Sequence, residues 1–418
     1  MKAIGGWSIG ALVACLSVSP SPLKAQEAYF REVSTPQRVS QVTPLQPEEE
    51  EKYNLMLGPV RFGSAVGLGL EWNDNIAYAH QDRKSDFILH PSLTLDATWR
   101  ITELNTLRFS IGASYAKYFS HSEFDSHSLL LSPNTEVAFT MVVGQVALTF
   151  RDRFSYQEDP YEFALLSDVQ RYRRFYNEAS LQADWQVTES TKLTGGYSHF
   201  NVWTFGEAFN SLQRSVDTLY LRPSVKITPA ITLGLYGSAS IINYTDSAKS
   251  DGRTYLLGPF VEADLTGSTK LYVELGFQNF TFNDESTSGD STSSNSWYVR
   301  SSLRNQWSEA MGQHLSFTKT TETGYLSNFY DLYHVEYGLD WKITPSLAAV
   351  GSSFYEHYST SGDPSETANR YGVAAGLRYV LTPSVTLAGD YRFLLKDSNM
   401  SDLSYHQNMV LVSLYYNF

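Results

Sequence analysis

The chain ends M-V-L-V-S-L-Y-Y-N-F, residues Met409 to Phe418. Val410, Val412, Leu414, Tyr416 and Phe418 share one parity, and Leu411, Ser413, Tyr415 and Asn417 the other. Successive side chains of a strand point to opposite faces, so this stretch predicts a strand with one apolar face. Chain ends of soluble domains are usually frayed and polar. A strand that keeps its pattern to the last residue needs a neighbour along both edges.

The same alternation runs through most of the chain. Phe62, Val66, Leu68, Leu70 and Trp72 alternate with Arg61, Gly63, Gly67, Gly69, Glu71 and Asn73. Phe87, Leu89, Leu93, Leu95, Ala97, Trp99 and Ile101 alternate with His90, Ser92, Thr94, Asp96, Thr98 and Arg100. Tyr371, Val373, Ala375, Leu377, Tyr379 and Leu381 repeat the arrangement against Gly372, Gly376 and Arg378. Charges are expected to avoid the apolar parity.

A short turn motif separates these runs. It reads I-T-E-L-N-T-L at 101–107, V-T-E-S-T-K-L at 187–193, I-T-P-A-I-T-L at 227–233 and L-T-G-S-T-K-L at 265–271. Further copies are I-T-P-S-L at 343–347 and L-T-P-S-V-T-L at 381–387, with degenerate ones at 142–146 and 307–315. Thr, Gly, Pro and Ser before a restarted alternation are hairpin chemistry. Longer polar stretches lie between them, at Asn73 to Asp86, Tyr156 to Arg171, Asn283 to Ser296 and Thr360 to Ala368. Eight tight turns join sixteen strands, and one more at each end gives eighteen, with sixteen as the alternative.

The expected fold is therefore all-β, a transmembrane antiparallel up-and-down barrel with short periplasmic turns and long extracellular loops. Its closure gives the terminal strand its second neighbour. Trp72, Trp99, Trp185, Trp203, Trp297, Trp307 and Trp341 fall near strand ends, where membrane interfaces favour them.

The N-terminal stretch reads differently. Lys2, the apolar run Ala3 to Val18, Pro20, Pro22 and Leu23-Lys24-Ala25 form an export signal over residues 1–25. A competing reading takes Leu12-Val13-Ala14-Cys15 as a lipoprotein box that leaves Cys15 lipidated. Residues 26–58 read as a disordered acidic periplasmic linker, and 59–418 as the barrel. With the signal removed the chain has no thiol, which excludes disulfide scaffolds and cysteine catalysis. The formal charge of -13, without basic clusters, argues against nucleic acid.

At G-L-G-L-E-W-N-D-N-I (67–76) and S-D-F-I-L-H-P-S-L-T-L (85–95) the sequence resembles the putative beta-barrel porin 2 type of outer-membrane protein. The resemblance implies a bacterial outer-membrane barrel over about residues 58–418. Some such proteins resemble barrels associated with exopolysaccharide export. The last residues, with Val412, Leu414, Tyr416 and Phe418 in phase, resemble the signal read by the barrel-assembly machinery.

The inward parity carries the candidate pore-lining residues. They are Arg108, Arg151, Arg153, Arg222, Arg300, Arg304, Arg378, Arg392, Glu178, Glu274, Tyr272 and Tyr298. Basic groups exceed acidic ones on this face, and rings of Arg set anion preference in pores. Two readings stand: passage of an anionic solute or acidic glycan, or Arg–Glu pairs that brace the wall. Inward Tyr118, Tyr176, Tyr220, Tyr236, Phe260, Tyr272 and Tyr298 form either a track for sugar rings or a wall lining. In the loop Tyr156 to Arg171, Glu162-Phe163-Ala164-Leu165-Leu166 reads either as a short helix folded into the pore beside Arg171, Arg173 and Arg174, or as a surface loop.

Catalysis finds no support. His199, His314, His334 and His357 are scattered, and no Gly-x-Ser-x-Gly, His-Glu-x-x-His or phosphate loop occurs. No cofactor or metal site is expected, and the Asp- and Ser-rich loops do not match a calcium-loop spacing. The 26–58 stretch is too short for a transporter plug. The sequence predicts a porin-like channel for hydrophilic solutes, with export of an anionic polysaccharide as one use. A structural or adhesive barrel without transport is the alternative. Expected partners are outer-membrane lipid and lipopolysaccharide, the assembly machinery and periplasmic export components.

Overall fold

In a computed structural model the described residues are 53–159, 165–169, 171–246, 249–284, 290–325 and 327–418. The expected export signal, Cys15 and most of the linker lie outside them. The described residues form eighteen long antiparallel strands. They are β1 Val60–Asn73, β2 Asp86–Arg100, β3 Thr106–Ser114, β4 Glu136–Val143, β5 Val146–Gln157 and β6 Arg173–Gln186. Next come β7 Thr191–Phe205, β8 Arg214–Thr228, β9 Ile231–Tyr244, β10 Gly252–Thr266, β11 Thr269–Phe282 and β12 Ser293–Ser308. The last six are β13 Met311–Thr323, β14 Phe329–Thr344, β15 Leu347–Thr360, β16 Thr367–Thr382, β17 Val385–Ser398 and β18 Tyr405–Asn417. Each pairs with the next, and β18 returns to β1 in register from Ala65↔Asn417 to Asn73↔Met409. The count is eighteen rather than sixteen, and the cylinder is closed. A three-residue strand, Leu55–Leu57, folds back on Val60–Phe62 within the stretch read as linker.

All eight tight turns fall at the repeated motif or its degenerate copies, and in five of them a threonine caps the reversal. Thr102 Oγ1 accepts the N–H of Asn105 at 3.0 Å, Thr188 that of Thr191 at 3.0 Å, and Thr344 that of Leu347 at 3.0 Å. Thr228 and Thr266 accept the N–H two residues on, at 3.3 and 3.2 Å. A side chain that caps its own turn fixes the reversal locally. Register shifts at Lys226/Thr228, Asp264/Thr266, Gln306/Ser308, Lys342/Thr344 and Val380/Thr382 place a bulge just before five of these turns.

The apolar parity faces outward. Leu68, Leu93, Leu181, Leu219, Leu221, Leu257, Phe277, Leu377 and Val412 are exposed, as are all seven expected interface tryptophans. Only hydrocarbon accommodates an apolar band of this extent around a closed sheet. One expectation fails here: charges do not avoid the outward parity. Asp152, His199, Asp217, Lys319 and Asp331 lie on it, in the half of each strand nearer the long loops. Each finds a cross-strand partner. Asn177 donates to Asp152, His199 Nδ1 meets Asp217 at 2.7 Å, and Lys319 meets Asp331 at 3.2 Å.

The two faces give a direct test. Leu221→Arg places a cation on the outward face of β8 and should lower stability by about 2–4 kcal/mol. Ser224→Arg, on the inward face of the same strand, should change it little. Urea unfolding in lipid vesicles measures both, and equal losses would contradict the assigned faces.

Candidate functional site

The inward face divides into two unlike walls. On β14 to β18 most of the inward charges away from the Asp340–Lys342 end of β14 are buried and paired. Glu356 accepts from Arg370 at 2.7 Å and meets His334 Nδ1 at 3.0 Å. Lys396 meets Glu366 at 3.0 Å, and Arg378 pairs with Asp390. Arg392 donates to Gln407 at 3.3 Å. Arg370, Arg378, Arg392, Lys396, Glu356 and Asp390 are all nearly inaccessible. An ion pair in a low-dielectric wall holds only when both partners are present and hydrogen-bonded.

The wall over β8 to β12 is layered. Gly258 and Gly276 bring β10 and β11 into backbone contact, and a Cβ on Gly258 would strike the carbonyl oxygen of Leu275. Tyr236 lies in register beside Gly258, and Tyr298 beside Gly276. The Arg300 guanidinium lies over both rings, 5.6 Å from Tyr236 and 5.3 Å from Tyr298, and donates to Glu274 at 3.1 Å. Phe260 fills the space over Gly234 in the same way, with Arg222 at 4.0 Å from its ring. Tyr272 donates to Glu274, and Arg222 pairs with Glu262. Tyr298 is fully buried. The inward aromatics here are packed on glycine below and arginine above.

On β3 to β6 the inward charges stay accessible except Arg174, which is buried and donates to the carbonyls of Asp159 and Tyr172 and to Gln157. Arg151 meets Glu136 at 3.5 Å, and Arg153 meets Glu178 at 3.6 Å, with both arginines about a quarter to two-fifths exposed at 26% and 38%. Arg108 stands in register between Thr98 and Ala138, half-buried. Nearer the tight turns Arg100, Lys192, Lys226, Lys270, Arg304 and Lys342 are exposed, against Asp96, Asp264 and Asp340. The structure thus gathers Arg222, Arg300, Glu274, Tyr272 and Tyr298 in one layer and Arg151, Arg153 and Glu178 in another. Arg304, Arg378 and Arg392 lie apart from both.

The loop between β5 and β6 crosses the lumen. Residues 160–164 and 170 lie outside the described set, so the expected helix over 162–166 is described only at Leu165 and Leu166. Leu165 is buried against Tyr330, Leu332, Tyr358 and Ala368 on the inward face of β14 to β16. Leu166 packs with Tyr172 and Leu212. Ser167 accepts from Lys396 at 2.8 Å and donates to the carbonyl of Leu403 at 2.8 Å. The described part of this loop therefore docks on the wall opposite its own strands rather than lying on the surface.

Sequence reasoning missed what anchors it. Tyr78, in the loop after β1, donates its hydroxyl to Asp159 at 2.8 Å, and its carbonyl accepts the Asp168 N–H at 3.0 Å. Tyr78 and Asp168 both adopt left-handed backbone, at φ 52° and 54°. A bulky residue in that region is strained and persists only where the surroundings hold it. Burial, with the Asp159 carboxylate beside it, pushes the Tyr78 hydroxyl far above its ordinary pKa, so it remains a donor. Across the mouth, Lys249 donates to the carbonyls of Gly324 and Ser327. Burial and the nearby Arg214 bring its pKa down to about 7, against the pull of Asp290.

Tyr78→Phe removes the bond to Asp159 while keeping the ring. The Asp168 amide should then exchange with deuterium about tenfold faster, the loss expected for one buried hydrogen bond. An unchanged rate would show that this hydroxyl does not anchor the loop.

Comparison with known proteins adds to this geometry. A family model described as putative beta-barrel porin 2 matches residues 307–418, from the end of β12 through β18. No curated protein matches the sequence. Among solved structures, Pseudomonas aeruginosa OccK2 (OpdF) is 13% identical, covering 85% of this chain and 98% of its own, with a TM-score of 0.49. Acinetobacter baumannii OccAB3 is 11% identical, with 85% and 99% covered and a TM-score of 0.48. A loop L8 deletion mutant of OmpT, an outer membrane protein of Vibrio cholerae, is 10% identical, with 86% and 99% covered and a TM-score of 0.43. On its family match and its closed, lipid-banded cylinder, the chain is a porin-like barrel of the bacterial outer membrane, similar to putative beta-barrel porin 2 proteins.

Proposed function

We propose that the barrel is a passive channel for small hydrophilic solutes with a preference for anions. One observation carries the reading: among the inward charges that solvent reaches, basic groups outnumber the acidic ones, which include Glu136, Glu178, Glu262, Asp96, Asp264 and Asp340. Arg151, Arg153 and the half-buried Arg108 mark the β3 to β5 side at mid-height, and Arg100, Lys192, Lys226, Lys270, Arg304 and Lys342 surround the end near the tight turns. The neutral pairs of β14 to β18 are buried and contribute little field to the passage. A low-dielectric wall focuses the remaining positive potential into the water it encloses.

Leu165 to Val169 narrow the passage on its extracellular side. A long glycan is a poor fit to a lumen crossed in this way, so a small solute suits the geometry better than polysaccharide export. The in-phase Val412, Leu414, Tyr416 and Phe418 of the seam strand suit recognition by the assembly machinery, and the apolar band suits contact with outer-membrane lipid and lipopolysaccharide.

Purified barrel in a planar bilayer should give discrete conductance steps, and a salt gradient should give a zero-current potential of the sign for anion preference. The double variant Arg151→Ala, Arg153→Ala should move that potential toward zero. Cation preference in the unaltered protein would overturn the selectivity reading, and a folded barrel without conductance would favour a structural role.

A further inference from the structure

A second feature stands at the extracellular mouth, apart from the charged lumen. Three loops border a shallow, open cleft of about 380 Å³ lined by Glu123, Phe124, Asp168, Val169, Arg171 and Phe209. That volume lies within the range of about 300–1,000 Å³ typical of small-ligand sites. The residues come from the loop between β3 and β4, the loop that crosses the lumen, and the turn Glu207–Leu212 after β7.

The cleft is built rather than incidental. Arg171 joins two of the loops. Its guanidinium meets Glu158 at 3.4 Å, the carbonyls of Glu123 at 3.1 Å and Asp125 at 2.7 Å, and His127 Nδ1 at 2.6 Å. Arg171 therefore frames the cleft with its donors almost fully used. Phe209 is held by Tyr172, with ring centres 4.9 Å apart. Phe124 stacks on His121 at 6.0 Å, and the Lys84 ammonium lies 5.1 Å from its ring centre. Asp168 is fixed in its left-handed conformation by the bond from its N–H to Tyr78. Among the described residues, the Glu123 and Asp168 carboxylates are exposed and carry no side-chain hydrogen bond or ion pair.

An aromatic face, an aromatic edge and two unengaged acceptors define the complementary ligand. It needs a flat apolar face for the ring and several hydroxyl donors for the carboxylates. A negative group is disfavoured, because two carboxylates line the cleft and Arg171 is already committed. The cation position on Phe124 is filled by Lys84 of the chain itself. We propose that this cleft captures a neutral saccharide, with Phe209 against its C–H face, the edge of Phe124 bordering it, and Glu123 and Asp168 accepting its hydroxyls. The proposal does not depend on the channel reading, which conductance tests separately.

The test uses the full-length barrel in nanodiscs on an array of neutral, acidic and amino-sugar oligosaccharides, with choline as a cation probe in parallel. Neutral glycans should bind. Phe209→Ala should weaken that binding about tenfold, the size of one lost ring contact, and Glu123→Gln should weaken it as well. A shift in mobility between heated and unheated samples confirms that each variant is a folded barrel. Binding of choline or acidic glycans in preference to neutral ones, no glycan binding, or neutral binding that neither variant changes would each overturn the proposal.

Discussion

Hydrocarbon offers no hydrogen bonds, and that single fact organises the molecule. Every backbone N–H and C=O in the apolar band must be paired within the sheet, so the sheet has to close. The seam between β1 and β18 completes the ring, running in register from Ala65↔Asn417 to Asn73↔Met409. This explains a terminal strand patterned to its end. Tyr416 and Phe418 meet edge to face at 5.1 Å on the outer surface, where the seam reaches the interface. The same constraint pushes irregular backbone to the two ends of the cylinder, where water or the lumen satisfies it.

Closure also decides what the interior can be. An eighteen-strand ring is wider than its side chains can fill across the axis. The inner face must therefore either reach into water or be lined. Both solutions occur. Glycine, tyrosine and arginine form layers over β8 to β12, buried ion pairs cover β14 to β18, and the β3 to β5 side keeps its arginines accessible. The loop after β5 spans the gap and rests on the paired wall, which leaves the accessible charge facing the remaining passage. Asymmetry of this kind lets one side carry selectivity while the other carries stability.

The strand count and turns were legible because their chemistry is local. A threonine that caps its own reversal is complete within four residues, and period-two alternation needs only neighbours in sequence. Inward parity of the twelve pore candidates followed from the same rule. Their partners did not. The burial of Tyr298 depends on glycines in two other strands, and Arg300 reaches Glu274 from a different strand. The inward docking of Leu165 to Val169 was one of two open readings. Its anchors, Tyr78 to Asp159 and Ser167 to Lys396, are separated by 81 and 229 residues. The rule that charges avoid the outward face failed at Asp217 and Lys319, because a cross-strand partner supplies what the lipid does not.

The most direct measurement of the central claim is a nitroxide scan along β12, one spin label at a time from Val299 to Gln306, in lipid bilayers. Oxygen dissolved in hydrocarbon should relax labels at Val299, Ser301 and Leu303. A water-soluble relaxant should act instead at Ser302 and Arg304, so that the two profiles alternate in opposite phase with a period of two residues. Profiles that rise and fall together, or that show no alternation, would contradict a closed cylinder with lipid outside and water within.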